Sequence, residues 1–310
     1  MTRWLERRIL EIKVALVFLT TIPVIVELPA HTAAARQQDL EGAWKRLNSD
    51  ALRWYPLAGA LVGVAVALAV FGTFSLLRSA FIAAVIGLAV EFALTGGLHL
   101  DGISDTADGI MSGTGRERAL EIMDDPRTGA MGVITLVVVS LLRVGLVAHI
   151  LEISGPAASS FLIVLAFVGS RYFGAAAMVY YPWARPEGIA RAFNKDRLAA
   201  AVQGAGIIAL LLLLLLSLAL IAALLFSMGG AVDRPGLPPA LPAALTGVLL
   251  WAGLPLVAAA LSARLTGGYL AARLQGLTGD CYGAIIEVTA AVTLFVGAAV
   301  LVVGRSKGVL

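Results

Sequence analysis

The sequence predicts an all-α, polytopic integral membrane protein, and three observations carry that prediction. Hydrophobic residues make up 59% of the 310 residues and charged residues 14%, against about 45–50% and about 25% in soluble domains. Seven stretches, at 57–77, 80–98, 131–153, 158–181, 203–228, 240–263 and 283–304, each supply the roughly 20 mostly apolar residues that a spanning helix needs. Basic residues crowd onto one side of the spans so defined. The chain is read as a single membrane domain over residues 1–310.

Ahead of the first span, residues 14–26 (VALVFLTTIPVIV) form an apolar run of 13 residues broken by Pro23. That length is too short to cross a bilayer, so the run is predicted to be an interfacial or re-entrant element. Arg3, Arg7 and Arg8 precede it as in a signal peptide, but Glu6, Glu11 and Lys13 interrupt that pattern. Residues 31–53 are polar and read as a surface helix, which makes 1–56 an N-terminal interfacial segment on the cytoplasmic side. Further along, Leu210 to Leu216 is an unbroken leucine run with no chemistry of its own, as expected of a surface facing lipid.

Charge orients the spans. With the N-terminus inside, eight basic residues precede Tyr55, three lie in 96–132, four in 182–202 and two in 264–282. Only Arg78, Arg234, Arg305 and Lys307 fall outside, so the positive-inside bias places the N-terminus in the cytoplasm. The prediction is a multi-pass protein of the cell inner (cytoplasmic) membrane. The formal charge of +3 is too small to argue for nucleic acid, and Cys281, the only cysteine, can form no intramolecular disulfide. The polar segments 96–132, 182–202 and 264–282 all fall on the cytoplasmic side. A one-sided site suits an enzyme fed from the cytosol, whereas a transporter must open to both faces.

The segment GGLHLDGISDTADG, residues 96–109, gathers unusual acid into a greasy chain. Asp101, Asp105 and Asp108 are spaced i, i+4, i+7, so a helix sets all three carboxylates on one face, where they repel. Their hard oxygens suit Mg²⁺ or Mn²⁺, and Mg²⁺ characteristically shares itself with substrate phosphates. His99 beside them is a candidate for acid-base work. In EIMDDPRTGAMG, residues 121–132, Asp125 is a further metal-ligand candidate and Arg127 can fork onto phosphate, while the helix that follows opens with unpaired N–H groups that attract an anion. ARAFNKDRL brings Asn194 and Lys195, and GLTGDCYGAIIE brings Asp280 and Glu287, again i, i+7. Glu91, Glu287 and Arg171 are costly inside the membrane and are therefore site candidates, with Arg171 partnering buried acid or bound phosphate; Arg143 is read as snorkelling or structural.

TGGLHLDGISDTADGI, MDDPRTGAMG and GLTGDCYGAIIE, in that order and between apolar spans, resemble the cobalamin synthase family, adenosylcobinamide-GDP ribazoletransferase. VFLTTIPV and WYPLAGALVG resemble that family's opening, so the likeness covers nearly the whole chain. Asp124 departs from it, since a basic residue is expected there. The resemblance implies attack by a ribose hydroxyl of α-ribazole, or of its 5′-phosphate, on adenosylcobinamide-GDP, with Mg²⁺ required and GMP released. Asp101, Asp105, Asp108, Asp125 and Glu287 would then serve the metal, Asp105, Asp280 and His99 the reaction, and Arg127, Arg171, Asn194 and Lys195 the substrates. The lipid bilayer is the other partner expected, and a homo-oligomer is left open. Two other classes compete: a CDP-alcohol phosphotransferase, whose Ala-Arg pair after the first Asp-Gly is missing from DGISDTADG, and an ion-coupled transporter.

Overall fold

The computed structural model describes residues 2–27, 37–227 and 241–306, and every element among them is helical. In chain order these are α1 (Thr2–Leu19), α2 (Gln37–Ala51), a 3₁₀ turn (Leu52–Trp54), α3 (Tyr55–Leu77), α4 (Ala80–Thr95), α5 (Leu98–Met111) and α6 (Arg116–Met123). There follow α7 (Ala130–Tyr180), α8 (Ile189–Ala192), α9 (Lys195–Ser227), α10 (Leu241–Leu274) and α11 (Gly279–Ser306). The expected outer loop at 229–239 lies outside the described residues.

By length and apolarity five helices can cross a bilayer, or six when α4 and α5, bent by 91° at their junction, are taken as one broken span. The sequence predicts seven. That tally takes α7 as one helix of 51 residues, whereas the sequence divides it in two. Its backbone breaks at Gly155 (φ 74°, ψ −176°), just before Pro156. Beyond the break the chain turns back, because the Arg143 guanidinium sits 5.9 Å from the Phe167 ring. In a straight helix those residues would be about 36 Å apart at 1.5 Å per residue.

Residues 14–26 divide between the end of α1 and an extended segment, and α1 is not among the helices long and apolar enough to cross a bilayer. α1 runs through to Leu19, burying Val14, Ala15 and Leu19 against Leu47, Leu52 and Tyr55 while Trp4, Leu5 and Ile9 stay exposed. The chain then extends, and Thr21 caps the end of α4: its N–H donates to the Leu94 carbonyl (2.8 Å) and its hydroxyl to that of Ala93 (2.7 Å). Immediately beyond, Gly96 and Gly97 both adopt left-handed φ (63° and 73°), which costs other residues strain, and these turn α5 away from α4. At 14 residues, about 21 Å, α5 is too short to span and lies across the end of the bundle.

The centre is α11, which packs on α7, α10 and α5, while α3 packs on α7 and α4. Leu210, Leu211, Leu214 and Leu215 of α9 face outward, whereas Leu212, Leu213 and Leu216 of the same run pack against the core, so the run expected to face lipid does so on one side only. At one end the three polar segments meet. Arg116 of α6 donates to the carbonyls of Leu274 (2.9 Å) and Ala184 (2.5 Å), Trp183 bridges to Leu277, and Asn48 of α2 donates to the Ala192 carbonyl.

Candidate active site

Two glycines bring the acids together. α5 crosses the start of α11 at Gly102 and Gly283, each packed against the other helix's backbone, so that Asp101 and Asp105 on α5 share one neighbourhood with Asp280 on α11. Burial, followed by the charges of Asp101, Asp280 and Asp108, raises Asp105 from the ordinary carboxylate range to about 6. Every charged group acting on it is an acid. A divalent cation would relieve that repulsion.

Asp108 has another occupation. Its two oxygens accept from the backbone N–H groups of Gly129 (2.7 Å) and Gly132 (2.8 Å), at the very start of α7. The anion expected at that helix terminus is therefore the protein's own carboxylate, and a side chain at either glycine would collide with it. Asp125 is likewise engaged, receiving the Arg127 guanidinium (3.0 and 2.7 Å) and the Arg127 backbone N–H (3.0 Å), which hold its carboxyl down at about 2. Asp125 and Arg127 thus pair with each other on an exposed turn.

Asn194 caps α9, its side-chain oxygen accepting from the Asp196 N–H (3.0 Å), while its backbone exchanges hydrogen bonds with Ser49 of α2. Lys195 is exposed in the first turn of the same helix. That segment is fastened to α2 by Arg197, which grips Asp50 through two 2.8 Å bonds. Asn194 thus anchors the segment, while the Lys195 side chain stays at the exposed surface.

Glu287 and Arg171 belong to a third grouping, deep between the helices. Arg143 donates to Glu91 (2.5 Å and 3.2 Å) and to Glu287 (2.9 Å), and Arg171 lies 3.9 Å from Glu91 with its guanidinium 4.5 Å from the Phe167 ring. Glu287 is thereby consumed by an ion pair and is no metal ligand in this arrangement. Two acids and two arginines balance, which a low-dielectric interior requires. His99, 3% exposed, joins the network 3.4 Å from Arg171. Arginine can only donate, so Nδ1 accepts and the ring proton sits on Nε2, which is buried without a partner among the described residues.

Among the described residues, no group of three or more His, Cys, Asp or Glu side chains could hold a metal ion by itself. The predicted single ligand set of Asp101, Asp105, Asp108, Asp125 and Glu287 is thus divided among three places. What remains is Asp105, with Asp101 and Asp280 near enough for their charges to act on it. Mg²⁺ is commonly held by one or two carboxylates plus substrate phosphates and water, and that donor set fits it.

A family profile described as cobalamin-5-phosphate synthase matches residues 11–298. The chain belongs to that family. It is 35% identical over 240 residues to an adenosylcobinamide-GDP ribazoletransferase of Desulforamulus reducens, covering 77% of this chain and 82% of the relative. A protein of the same name from Roseiflexus sp. is 33% identical over 280 residues (90% and 86%), and one from Synechococcus sp. is 33% identical over 287 residues (91% and 93%). No solved structure matches. Membership in the cobalamin-5-phosphate synthase family sets aside the CDP-alcohol phosphotransferase and the ion-coupled transporter.

Two cavities flank the acids of this cobalamin-5-phosphate synthase family member. One, of about 400 Å³, is lined by Asp280, Thr278, Gly279 and the paired Asp124 and Arg185. The other, of about 730 Å³, has Asp101 in its wall. Sequence reasoning missed Arg185, which is separated from Asp124 by 61 residues. It also set Arg143 aside, although the presence of two intramembrane acids and two intramembrane arginines was a signal for a balanced network.

Proposed function

We propose that the chain transfers the adenosylcobinamide-phosphate group of adenosylcobinamide-GDP to α-ribazole or α-ribazole 5′-phosphate, at the cytoplasmic face of the inner membrane. The ribose hydroxyl oxygen bonds to the cobinamide-side phosphorus, and the bond from that phosphorus to the bridging oxygen breaks. GMP leaves with the electron pair, the hydroxyl proton goes to water, and adenosylcobalamin or its 5′-phosphate remains. The observation that carries this reading is the glycine crossing of α5 and α11, which brings acids of the two helices close enough for the charges of Asp101 and Asp280 to act on Asp105. Family membership and the positive-inside bias support it.

Asp101, Asp105 and Asp280 would hold Mg²⁺ or Mn²⁺ together with oxygens of the diphosphate. A divalent ion there supplies charge neutralisation for the departing phosphate. The remaining work falls to the chain itself. Arg185 lines the cavity beside Asp280 and offers a forked donor to a nucleotide phosphate once it is drawn from Asp124. Asp108 fixes the start of α7 against α5, and so keeps the acids in register. The buried network, with His99 at its edge, holds α4, α7 and α11 together behind them.

The test is GMP release by purified protein in detergent, with adenosylcobinamide-GDP and α-ribazole present, before and after chelation. Activity is expected with Mg²⁺ or Mn²⁺, lost on chelation, and absent in Asp105→Asn. Undiminished turnover in the chelator or in Asp105→Asn would remove the metal assignment, and absence of GMP release by the metal-loaded protein would remove the reaction.

A further inference from the structure

A third cavity lies away from the acids, between the end of α7 and the facing part of α10. Alanines of both helices leave the gap, and Tyr180, Tyr181 and Arg264 border it. At about 100 Å³ it is well below the roughly 300–1,000 Å³ of sites that enclose a whole small molecule, so neither a nucleotide nor a corrinoid fits inside. Tyr181 is fixed as one wall. Its hydroxyl donates to the Arg264 carbonyl (2.8 Å), and its ring lies so close to α10 that a Cβ on Gly267 would stand 2.5 Å from it.

The Arg264 guanidinium lies 5.0 Å from the centre of the Tyr180 ring, and no ion pair among the described residues involves it. A guanidinium held on a ring face keeps its N–H edge for a forked acceptor such as phosphate. Tyr180 and Tyr269 beside it are exposed, and tyrosines with an apolar body and a polar tip settle where hydrocarbon meets headgroups. From Arg264 the outer face of α10 continues as Leu261, Val257 and Leu254, all exposed and three or four residues apart. At 1.5 Å per residue that stripe reaches about 15 Å along the helix, which is half of the roughly 30 Å hydrocarbon layer and so the depth of one leaflet.

We infer that Arg264 and Tyr180 form the headgroup site for an anionic phospholipid, in the leaflet at the candidate active-site end of the bundle. The phosphate sits on the free edge of Arg264 at the mouth of the cavity, and an acyl chain runs along Leu261, Val257 and Leu254. A cation with no carboxylate partner favours a headgroup of net negative charge, such as phosphatidylglycerol, over a zwitterionic one. A free phosphate would use the arginine alone, whereas a lipid uses the arginine and the apolar stripe that leads away from it.

The test is native mass spectrometry of the full-length protein in detergent, titrated with phosphatidylglycerol, and its outcome does not depend on the reaction proposed above. The parent is expected to retain one phosphatidylglycerol about fivefold more tightly than phosphatidylcholine. Arg264→Gln weakens that binding by about tenfold, the loss of one charge-assisted contact. Arg273→Gln, which removes an equal charge from an exposed position farther along the same helix, leaves it within about twofold. Equal affinity for the two lipids overturns the inference, as does an equal loss in both variants, which would mean diffuse attraction of charge. Displacement of the lipid by inorganic phosphate or by adenosylcobinamide-GDP also overturns it, by assigning Arg264 to a soluble ligand. Should Arg264→Gln fail to fold, Tyr180→Leu takes its place, and unchanged phosphatidylglycerol affinity there is likewise the overturning result.

Discussion

Gly102 of α5 and Gly283 of α11 pack face to face: a Cβ on Gly102 would stand 2.8 Å from the Asp280 carbonyl oxygen, and one on Gly283 would stand 3.2 Å from that of His99. Backbone cannot yield as a side chain can, so any substituent pushes the two helices apart. Gly102→Ala is expected to cost about 1–3 kcal/mol of stability and to lower turnover by about tenfold or more, since misplacing reacting groups by about 1 Å can cost about 100-fold. Gly115→Ala, with nothing within 4 Å of its added carbon, leaves both unchanged. Thermal unfolding in detergent and GMP release measure the pair, and an active, equally stable Gly102→Ala would contradict the crossing.

Asp105 and Asp108 share a helix face but answer to different forces. Asp105 is raised by burial and by its acid neighbours, so Asp105→Asn removes a repulsion and is expected to stabilise the metal-free protein while abolishing turnover. Asp108 satisfies two N–H groups at the start of α7, and Asp108→Ala is expected to destabilise by about 0.5–2 kcal/mol. Unfolding midpoints measured in chelator should move in opposite directions. Equal shifts would refute the division of labour.

Arg143 bridges Glu91 and Glu287 out of reach of water. Arg143→Ala leaves two buried carboxylates opposite one remaining arginine, and breaking such a pair typically costs about 3–5 kcal/mol. Loss of folded, monodisperse protein on size exclusion is the expected outcome. The quadruple substitution Glu91→Gln, Arg143→Met, Arg171→Met, Glu287→Gln removes the four charges together and should recover much of the folded yield; failure to do so would show that the network matters for more than charge balance.

Arg185 is partnered by Asp124 across the smaller cavity. Arg185→Ala is expected to raise KM for adenosylcobinamide-GDP about tenfold with KM for α-ribazole little changed, in keeping with the loss of one charge-assisted contact worth about 1.5–3 kcal/mol at most. Asp124→Ala releases the arginine and should shift that KM far less. The reverse pattern would place the nucleotide elsewhere.

Hydropathy made the membrane helices legible in the sequence because the roughly 30 Å hydrocarbon layer imposes a length and composition on each segment separately. The Gly155-Pro156 break and the outward leucines of α9 were readable for the same local reason. Partnership among charges was not. Asp101, Asp105 and Asp108 look equivalent at i, i+4, i+7, yet Asp108 is claimed by glycines 21 and 24 residues away, and no spacing rule along one helix reveals that.

The sequence by itself determined that this chain lies in a bilayer, which family it resembles, and which few polar residues are costly enough to matter, since each of these follows from residue type and neighbours along the chain. Only the tertiary structure decided which acids remain free. Arg143 meets Glu287 across 144 residues, Asp108 turns to Gly129 and Gly132, and a glycine crossing brings the charge of Asp280 to bear on Asp105. The physical reason is that a charge in a low-dielectric interior takes whichever partner folding brings within about 4 Å, and that choice belongs to the packing of the helices.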